Sequence, residues 1–319
     1  MSLEEWLSIA ATTGMRADDV VFAYEKYRNL FVGDDAVLAA GGTSAFLEPD
    51  GRQAAPPIVE RIARALREGT PLSLIRVGNG EGNAVSMLDR PVADVIFHGF
   101  DFEFVSQNGI SIRLDEASSL SGQVVDAIRS ADIQGYRIGR FDEDALIRQC
   151  LSKAALSPVF GLIYARWLFF TQLRDARSAG TWFTNAWIHL DLIDHLDALL
   201  DGARSVVVIT GRDELRSKLT ERLGARLRRL IAVPVQGYAP KALTDSHFAS
   251  FEDVRAALRN EDLAGTLVLV GAGLFGKVYC QDAKSSGAVA IDLGSAFDLL
   301  AGIATRPVHR QIDLAAVRW

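Results

Sequence analysis

The segment Leu72-Ser73-Leu74-Ile75-Arg76-Val77 is an apolar run that halts at Gly78-Asn79-Gly80-Glu81-Gly82. A run this short, bounded by glycine, reads as a strand buried on both faces, the kind found in parallel sheets covered by helices. The stretch from there to Leu88 reads as the start of a helix. Ligands of open α/β sheets bind just beyond the carboxyl ends of the strands. Gly78, Gly80 and Gly82 let backbone N–H groups approach a ligand closely. Arg76 can fork onto a phosphate, and Glu81 can hold a hard cation that bridges phosphates.

The same grammar recurs along the chain. Strands are predicted over 72–76, 94–98, 135–139, 205–210, 229–233, 266–270 and 289–293. Helices are predicted over 57–68, 120–131, 142–155, 159–176, 184–200, 213–223, 251–259, 275–285 and 295–301. Such alternation predicts an α/β fold, a Rossmann-like doubly wound sheet that is mostly parallel. Ahead of it, Ser2 and Glu5 form a capping-box pattern. Val20, Tyr24, Tyr27 and Phe31 share one face of a second helix. Breaks at Gly41-Gly42-Thr43 and Glu48-Pro49-Asp50-Gly51 place a boundary near Asp50. Residues 1–50 therefore read as an N-terminal helical extension, serving a partner or a homodimer contact, and 51–319 as the main domain.

A second glycine corner, Val270-Gly271-Ala272-Gly273-Leu274-Phe275-Gly276-Lys277, is a literal G-x-G-x-x-G between a strand and a helix. The next strand ends at Asp292, so the local conditions of a dinucleotide fingerprint are met. The chain ends soon afterwards, at Trp319, whereas a standard nicotinamide domain begins with this unit. Two readings stay open: phosphate or sugar contacts, or glycines that only permit close strand–helix packing. Gly211 and Arg212 close a third apolar run, where Arg212 can contact phosphate and Asp213 can cap the next helix. Asp101-Phe102-Glu103 has a spacing that suits a metal on one strand face, but its alternation with Phe100 and Phe104 reads as an ordinary half-buried strand. His189 comes just after a polar corner and can act as a base or as a core histidine.

Composition narrows the partners. The 319 residues are 49% hydrophobic and 23% charged, with a net charge of −6, and no basic stripe suggests nucleic acid. The basic stretch from Arg222 to Arg229 reads as a solvated helix end or a weak anion-attracting face. Cys150 and Cys280 lack metal or redox spacing. No apolar run reaches the ~18 residues of a membrane span. The acidic start lacks the features of a signal peptide, and a cytoplasmic chain is expected.

Two segments together resemble the GT-D-type glycosyltransferases of bacterial glycan assembly. Ile75-Arg76-Val77-Gly78-Asn79-Gly80-Glu81 looks like that family's I-R-x-G-D-G-E corner. Val270-Gly271-Ala272-Gly273, followed by Ala290-Ile291-Asp292-Leu293-Gly294-Ser295-Ala296-Phe297-Asp298, looks like its C-terminal end. The resemblance covers roughly 56–302. It implies transfer of a sugar from a nucleotide-sugar donor, with UDP expected as the carrier, to a glycan or glycoprotein acceptor. By the same resemblance Glu81 and Asn79 would hold Mn²⁺ or Mg²⁺, although Asn79 stands where the family has an aspartate and brings no charge. Arg76, Gly78, Asn79, Gly80, Gly211, Arg212, Gly271, Gly273, Lys277 and Ser295 are the expected donor contacts. Glu81, Asp292 and Asp298 are the expected catalytic carboxylates. The alternatives are an NAD(P)-dependent enzyme built on Gly271, Gly273, Gly276 and Asp292, and a non-catalytic binding protein that keeps the fold.

Overall fold

The computed structural model describes residues 1–30, 55–108, 111–137, 143–175, 180–234, 247–317 and 319. The expected boundary near Asp50 and the glycine breaks before it lie outside these. Seven strands form one parallel sheet: β1 (Leu72–Val77), β2 (Ile133–Tyr136), β3 (Trp182–Asn185), β4 (Ser205–Thr210), β5 (Leu227–Ala232), β6 (Thr266–Gly271) and β7 (Val289–Asp292). Their order across the sheet is β3-β2-β1-β7-β6-β4-β5.

Side-chain alternation divides the core in two. Ile75, Val77, Val207, Ile209, Val268, Val270 and Ala290 enter one layer. Leu72, Leu74, Val206, Val208, Leu267, Leu269, Val289 and Ile291 enter the other. Parallel crossovers are right-handed, so the direction of each strand step selects the layer its helices occupy. Steps toward the β3 edge carry α4 (Asn79–Ser86), α5 (Arg90–Asn108), α6 (Leu114–Ser130), α7 (Glu143–Leu151), α8 (Leu156–Arg174), α12 (His247–Arg259) and α13 (Phe275–Ser285). Their apolar residues lie in the first layer. Steps toward the β5 edge carry α9 (Ile188–Ile193), α10 (Leu196–Gly202) and α11 (Arg216–Leu223), which pack in the second. The chain leaves β1 into the first layer through α4, but leaves the neighbouring β7 into the second through α14 (Ala296–Leu300). The exits of two adjacent strands thus diverge, and a crevice opens at their carboxyl ends.

At the N-terminus, α1 (Leu3–Ala11) starts at the expected capping box, with Ser2 Oγ accepting the Glu5 N–H at 3.2 Å and Glu5 accepting the Ser2 N–H at 2.7 Å. Trp6 and Ala10 of α1, and Val20 and Ala23 of α2 (Ala17–Leu30), are buried in the first layer with α8. The helix α3 (Ala55–Glu68) covers the second through Ile58, Ile62 and Leu66. No helix among the described residues is long and apolar enough to cross a membrane.

Three expectations are corrected. Residues 94–98 and Asp101-Phe102-Glu103 belong to the helix α5, not to strands. Val92, Ala93, Ile96 and Phe100 are buried at helical spacing, which outweighs the local β-like composition. Asp101 instead accepts from Ser111 Oγ and the Ile112 N–H, both at 2.8 Å, and ties down the loop after the helix. The start of the expected 184–200 helix is the short strand β3, and the remainder breaks into α9 and α10. The second strand, Ile133–Tyr136, starts two residues earlier than expected, with Leu74 of β1 paired to Ile133 and Ile75 to Gln134; residues 138 and 139 of the expected strand lie outside the described ones. The basic stretch before and within β5 is engaged in ion pairs: Arg226 with Asp201 at 3.1 Å, and Arg228 with Glu261 at 2.8 Å.

The corner after β1 is held by a close helix crossing. A Cβ on Gly82 would stand 1.7 Å from the Gly161 carbonyl oxygen of α8, and one on Gly161 would stand 2.5 Å from the Asn79 carbonyl oxygen. Gly80, on the same turn of α4, faces open space. Overpacking costs about 1–3 kcal/mol where side chains can yield, and here backbone must move. Gly82→Ala and Gly161→Ala are therefore each expected to lower unfolding free energy by about 3 kcal/mol. Gly80→Ala should stay neutral or gain up to about 1 kcal/mol. Urea denaturation of the three variants measures this.

Candidate active site

Four charged side chains converge in the crevice between β1 and β7. Asp292 ends β7 and is 1% exposed. Its Oδ2 accepts from Lys277 Nζ at 2.8 Å and from the Arg76 backbone N–H at 3.3 Å. The Arg76 guanidinium, 14% exposed, donates to the Asp292 carbonyl oxygen at 2.9 Å and lies 3.4 Å from Asp292 Oδ1. Lys277, on the first turn of α13, also stands 2.9 Å from Glu81 Oε1 and donates to the Gly273 carbonyl at 3.3 Å. The second Glu81 oxygen accepts the Gly78 N–H at 2.7 Å, which is half of a capping box at the start of α4.

Burial weighs most on the charges of Lys277 and Asp292, but their partners prevail. Burial alone lowers the Lys277 pKa; the carboxylates of Asp292 and Glu81 hold it above the ordinary lysine value. Burial alone raises the Asp292 pKa; Arg76 and Lys277 hold it below the usual carboxylate range. Both groups stay charged across neutral pH.

The guanidinium extends into a second network. Arg76 Nη1 donates to the Ala186 carbonyl at 3.2 Å and lies 2.9 Å from His189 Nδ1. Arginine can only donate, so His189 Nδ1 accepts and its proton sits on Nε2, 3.5 Å from Ser295 Oγ. The Ala186 carbonyl also lies 3.2 Å from Nδ1, but the guanidinium already donates to it. On the far side of Ser295, His309 Nε2 lies at 3.3 Å, while His309 Nδ1 accepts the Thr305 N–H at 3.2 Å. Thr305 Oγ1 donates to Asp298, which also accepts from Arg212 Nε at 2.7 Å. The ends of β1, β4 and β7 and the turn after β3 are joined through these contacts. His189 lies well below the ordinary histidine pKa, because burial and the adjacent Arg76 both disfavour its charge.

The glycine corners are explained mostly by packing. A Cβ on Gly271 would fall 2.4 Å from the Phe297 ring, and one on Gly276 would stand 3.1 Å from Val270. Gly273 has φ +53, which favours glycine. Gly294, with φ +49, leaves the room in which the Arg76 guanidinium lies, since a Cβ there would be 1.9 Å from Nη2. The dinucleotide fingerprint is thus met in spacing, but its acid, Asp292, is buried under Arg76 and Lys277. A ribose cannot reach that carboxylate.

Two residues that no sequence motif marks complete the rim. Arg137 comes directly after β2, donates to Asn79 Oδ1 at 3.2 Å, and lies 5.8 Å from the ring of Trp187. Trp187 is 36% exposed, and its backbone N–H donates to Asn185 Oδ1 at 2.8 Å. A strand-end arginine beside an exposed aromatic ring is a signal that appears only once β1, β2 and β3 are known to be neighbours.

Asn79 and Glu81 do not present a metal-binding set. One oxygen of Glu81 faces the Lys277 ammonium, the other a backbone N–H, and the Asn79 oxygen faces a guanidinium. Among the described residues, no three His, Cys, Asp or Glu side chains come together as a metal would need.

The model of the GT-D fold-like domain matches residues 54–300 of this sequence. The chain belongs to the GT-D-like family. Two solved structures align over 85% of this chain and 82% of their own, at 13% identity. One is described as a selenomethionine-substituted domain of unknown function 1792 (TM-score 0.43). The other is described as the highly conserved domain of unknown function 1792 with a distinct glycosyltransferase fold (TM-score 0.42). No curated protein matches.

The neutral His189 makes a pH prediction. Its folded pKa is below 6.5, so on acidification the unfolded chain takes up the proton first. Its contribution to stability is complete above about pH 6.5 and is lost as pH falls, at up to about 1.4 kcal/mol per pH unit. His189→Asn keeps an acceptor for Arg76 and does not titrate. Its stability profile between about pH 6.5 and 5 is expected to be shallower by up to that slope, as measured by denaturant titration at each pH.

Proposed function

We propose that this GT-D-like protein is a glycosyltransferase that draws a sugar from a nucleotide-sugar donor, with a UDP-sugar the first choice, and passes it to a glycan or glycoprotein acceptor. The observation that carries this reading is the cationic rim along the carboxyl ends of β1 and β2. Arg76 lies in the β1–β7 crevice and Arg137 stands directly after β2 beside Asn79, with the open turn at Gly80 and the exposed face of Trp187. Family membership supports the class of reaction, and the rim supports a diphosphate-bearing donor.

Breaking the bond between a sugar and a nucleoside diphosphate loads negative charge onto the leaving phosphate. Fixed donors aimed at that oxygen lower the barrier. Arg137 and the crevice-facing edge of Arg76 supply charge-assisted hydrogen bonds. The first-turn N–H groups of α4 add donors with a favourable dipole. Trp187 offers a flat apolar face for a sugar or base ring. Asp292 does not act on substrate in this reading; buried and paired, it fixes the direction of Arg76. Glu81 and Lys277 complete that support. Asp298, joined to Arg212 and Thr305, holds the β4 and β7 turns together at the side of the crevice.

The test is donor turnover by the purified chain across a panel of UDP- and GDP-sugars, and then by two variants. Arg137→Ala is expected to lower kcat/KM by about 10- to 100-fold, the range of a charge-assisted hydrogen bond made in the transition state. Trp187→Ala is expected to raise KM with a smaller change in kcat. A chain that is stabilised on heating by NAD or NADP, and by neither UDP nor GDP, would overturn the reading.

A further inference from the structure

The cation site at the β1 corner is already taken by the protein's own charges. Glu81 and Asp292 face each other across the Lys277 ammonium, at 2.9 and 2.8 Å, and Lys277 is only 3% exposed. Asn79 brings an amide in place of a charge, and its oxygen is turned to Arg137. Arg76 and Lys277 balance the two carboxylates, and Arg137 adds a positive charge beside Asn79 at the mouth of α4. No net negative charge is left at the corner to recruit an ion. Such a place offers a divalent cation little attraction and a diphosphate its guanidinium groups.

We infer that this chain binds the diphosphate of its donor without a divalent cation, with Lys277 standing in as a built-in cation between Glu81 and Asp292. The inference deepens the nucleotide-sugar reading and rests on it. Lys277 is a positioning residue: it neutralises the two carboxylates and, through Asp292, aims Arg76 at the crevice. The phosphates themselves meet Arg76 and Arg137. Two features of this chain act in the same direction. Asn79 removes the carboxylate that would recruit an ion at the mouth of α4, and Lys277 withdraws the one that remains.

Calorimetric titration of the whole chain with UDP, once in EDTA and once in MnCl₂, tests this directly. Affinities that agree within about threefold are expected, together with an electron paramagnetic resonance signal of free Mn²⁺ that the protein alone leaves undiminished. UDP binding that is about tenfold or more tighter with Mn²⁺ overturns the inference and leaves the proposed function standing. Failure of both UDP and GDP to bind under either condition overturns both. The variant Lys277→Met takes the positive charge from between Glu81 and Asp292 and opens that space. It is expected to bind Mn²⁺ and to make UDP binding metal-responsive, which loss of a merely structural lysine would not do. A folded Lys277→Met that stays indifferent to Mn²⁺ overturns the role given to Lys277. The wild-type titrations decide the main claim whether or not that variant folds.

Discussion

The ion pair between Lys277 and Asp292 is the contact on which the rest of the crevice depends. It lies where two adjacent strands, β1 and β7, send their chains to opposite layers. A buried ion pair is a weak source of net stability, because desolvation offsets much of the attraction. Losing one partner is another matter, since the survivor is then an uncompensated buried charge. What the pair secures here is specificity of arrangement. Asp292 binds the backbone N–H of Arg76, its guanidinium and the Lys277 ammonium at once. The register of β1 against β7, the start of α13 and the direction of Arg76 are thus fixed by one carboxylate.

Glycine sets the distances around it. The crossing of α4 on α8 leaves no space for a side chain at Gly82 or at Gly161, so the β1 corner is pinned from behind. Phe297 seats against Gly271, and the Arg76 guanidinium lies over Gly294. In each case absence of a Cβ lets a larger group stand in a defined place. Most glycines around the crevice therefore position other residues, whereas Gly80 looks onto open space.

Much of this is legible in the sequence. β1, β4, β6 and β7 are buried on both faces, and strands of that kind are unbroken apolar runs with polar turns behind them. Arg76, Glu81 and Asp292 stand beside such turns, and the sheet brings those three together. β3 is not legible: Trp182–Asn185 is four residues long at a sheet edge, too short to show a period. α5 misleads because Val95-Ile96-Phe97 has strand composition over a window shorter than a helical repeat. Arg137, Trp187 and His309 carry no local pattern, since Arg137 meets Asn79 and Trp187 from separate parts of the chain and His309 meets Ser295 from the turn after β7. Lys277 reads as a cation near the turn, but only the fold shows that its charge is engaged from within. Spacing reveals where a charge stands along the chain, not what it faces.

The histidine–serine chain gives the crevice a direction. Arg76 directs an N–H at His189 Nδ1, the Thr305 backbone directs one at His309 Nδ1, and both rings must present N–H to Ser295 Oγ. A hydroxyl has two lone pairs. With both occupied by imidazole donors, Ser295 has only its own hydrogen left to offer. Every polar contact from Arg76 to Ser295 is therefore oriented, and the network is a fixed string of dipoles instead of a set of interchangeable partners. Whatever meets the Ser295 hydroxyl must be an acceptor, so this wall of the crevice has a chemical sign although neither imidazole carries a charge.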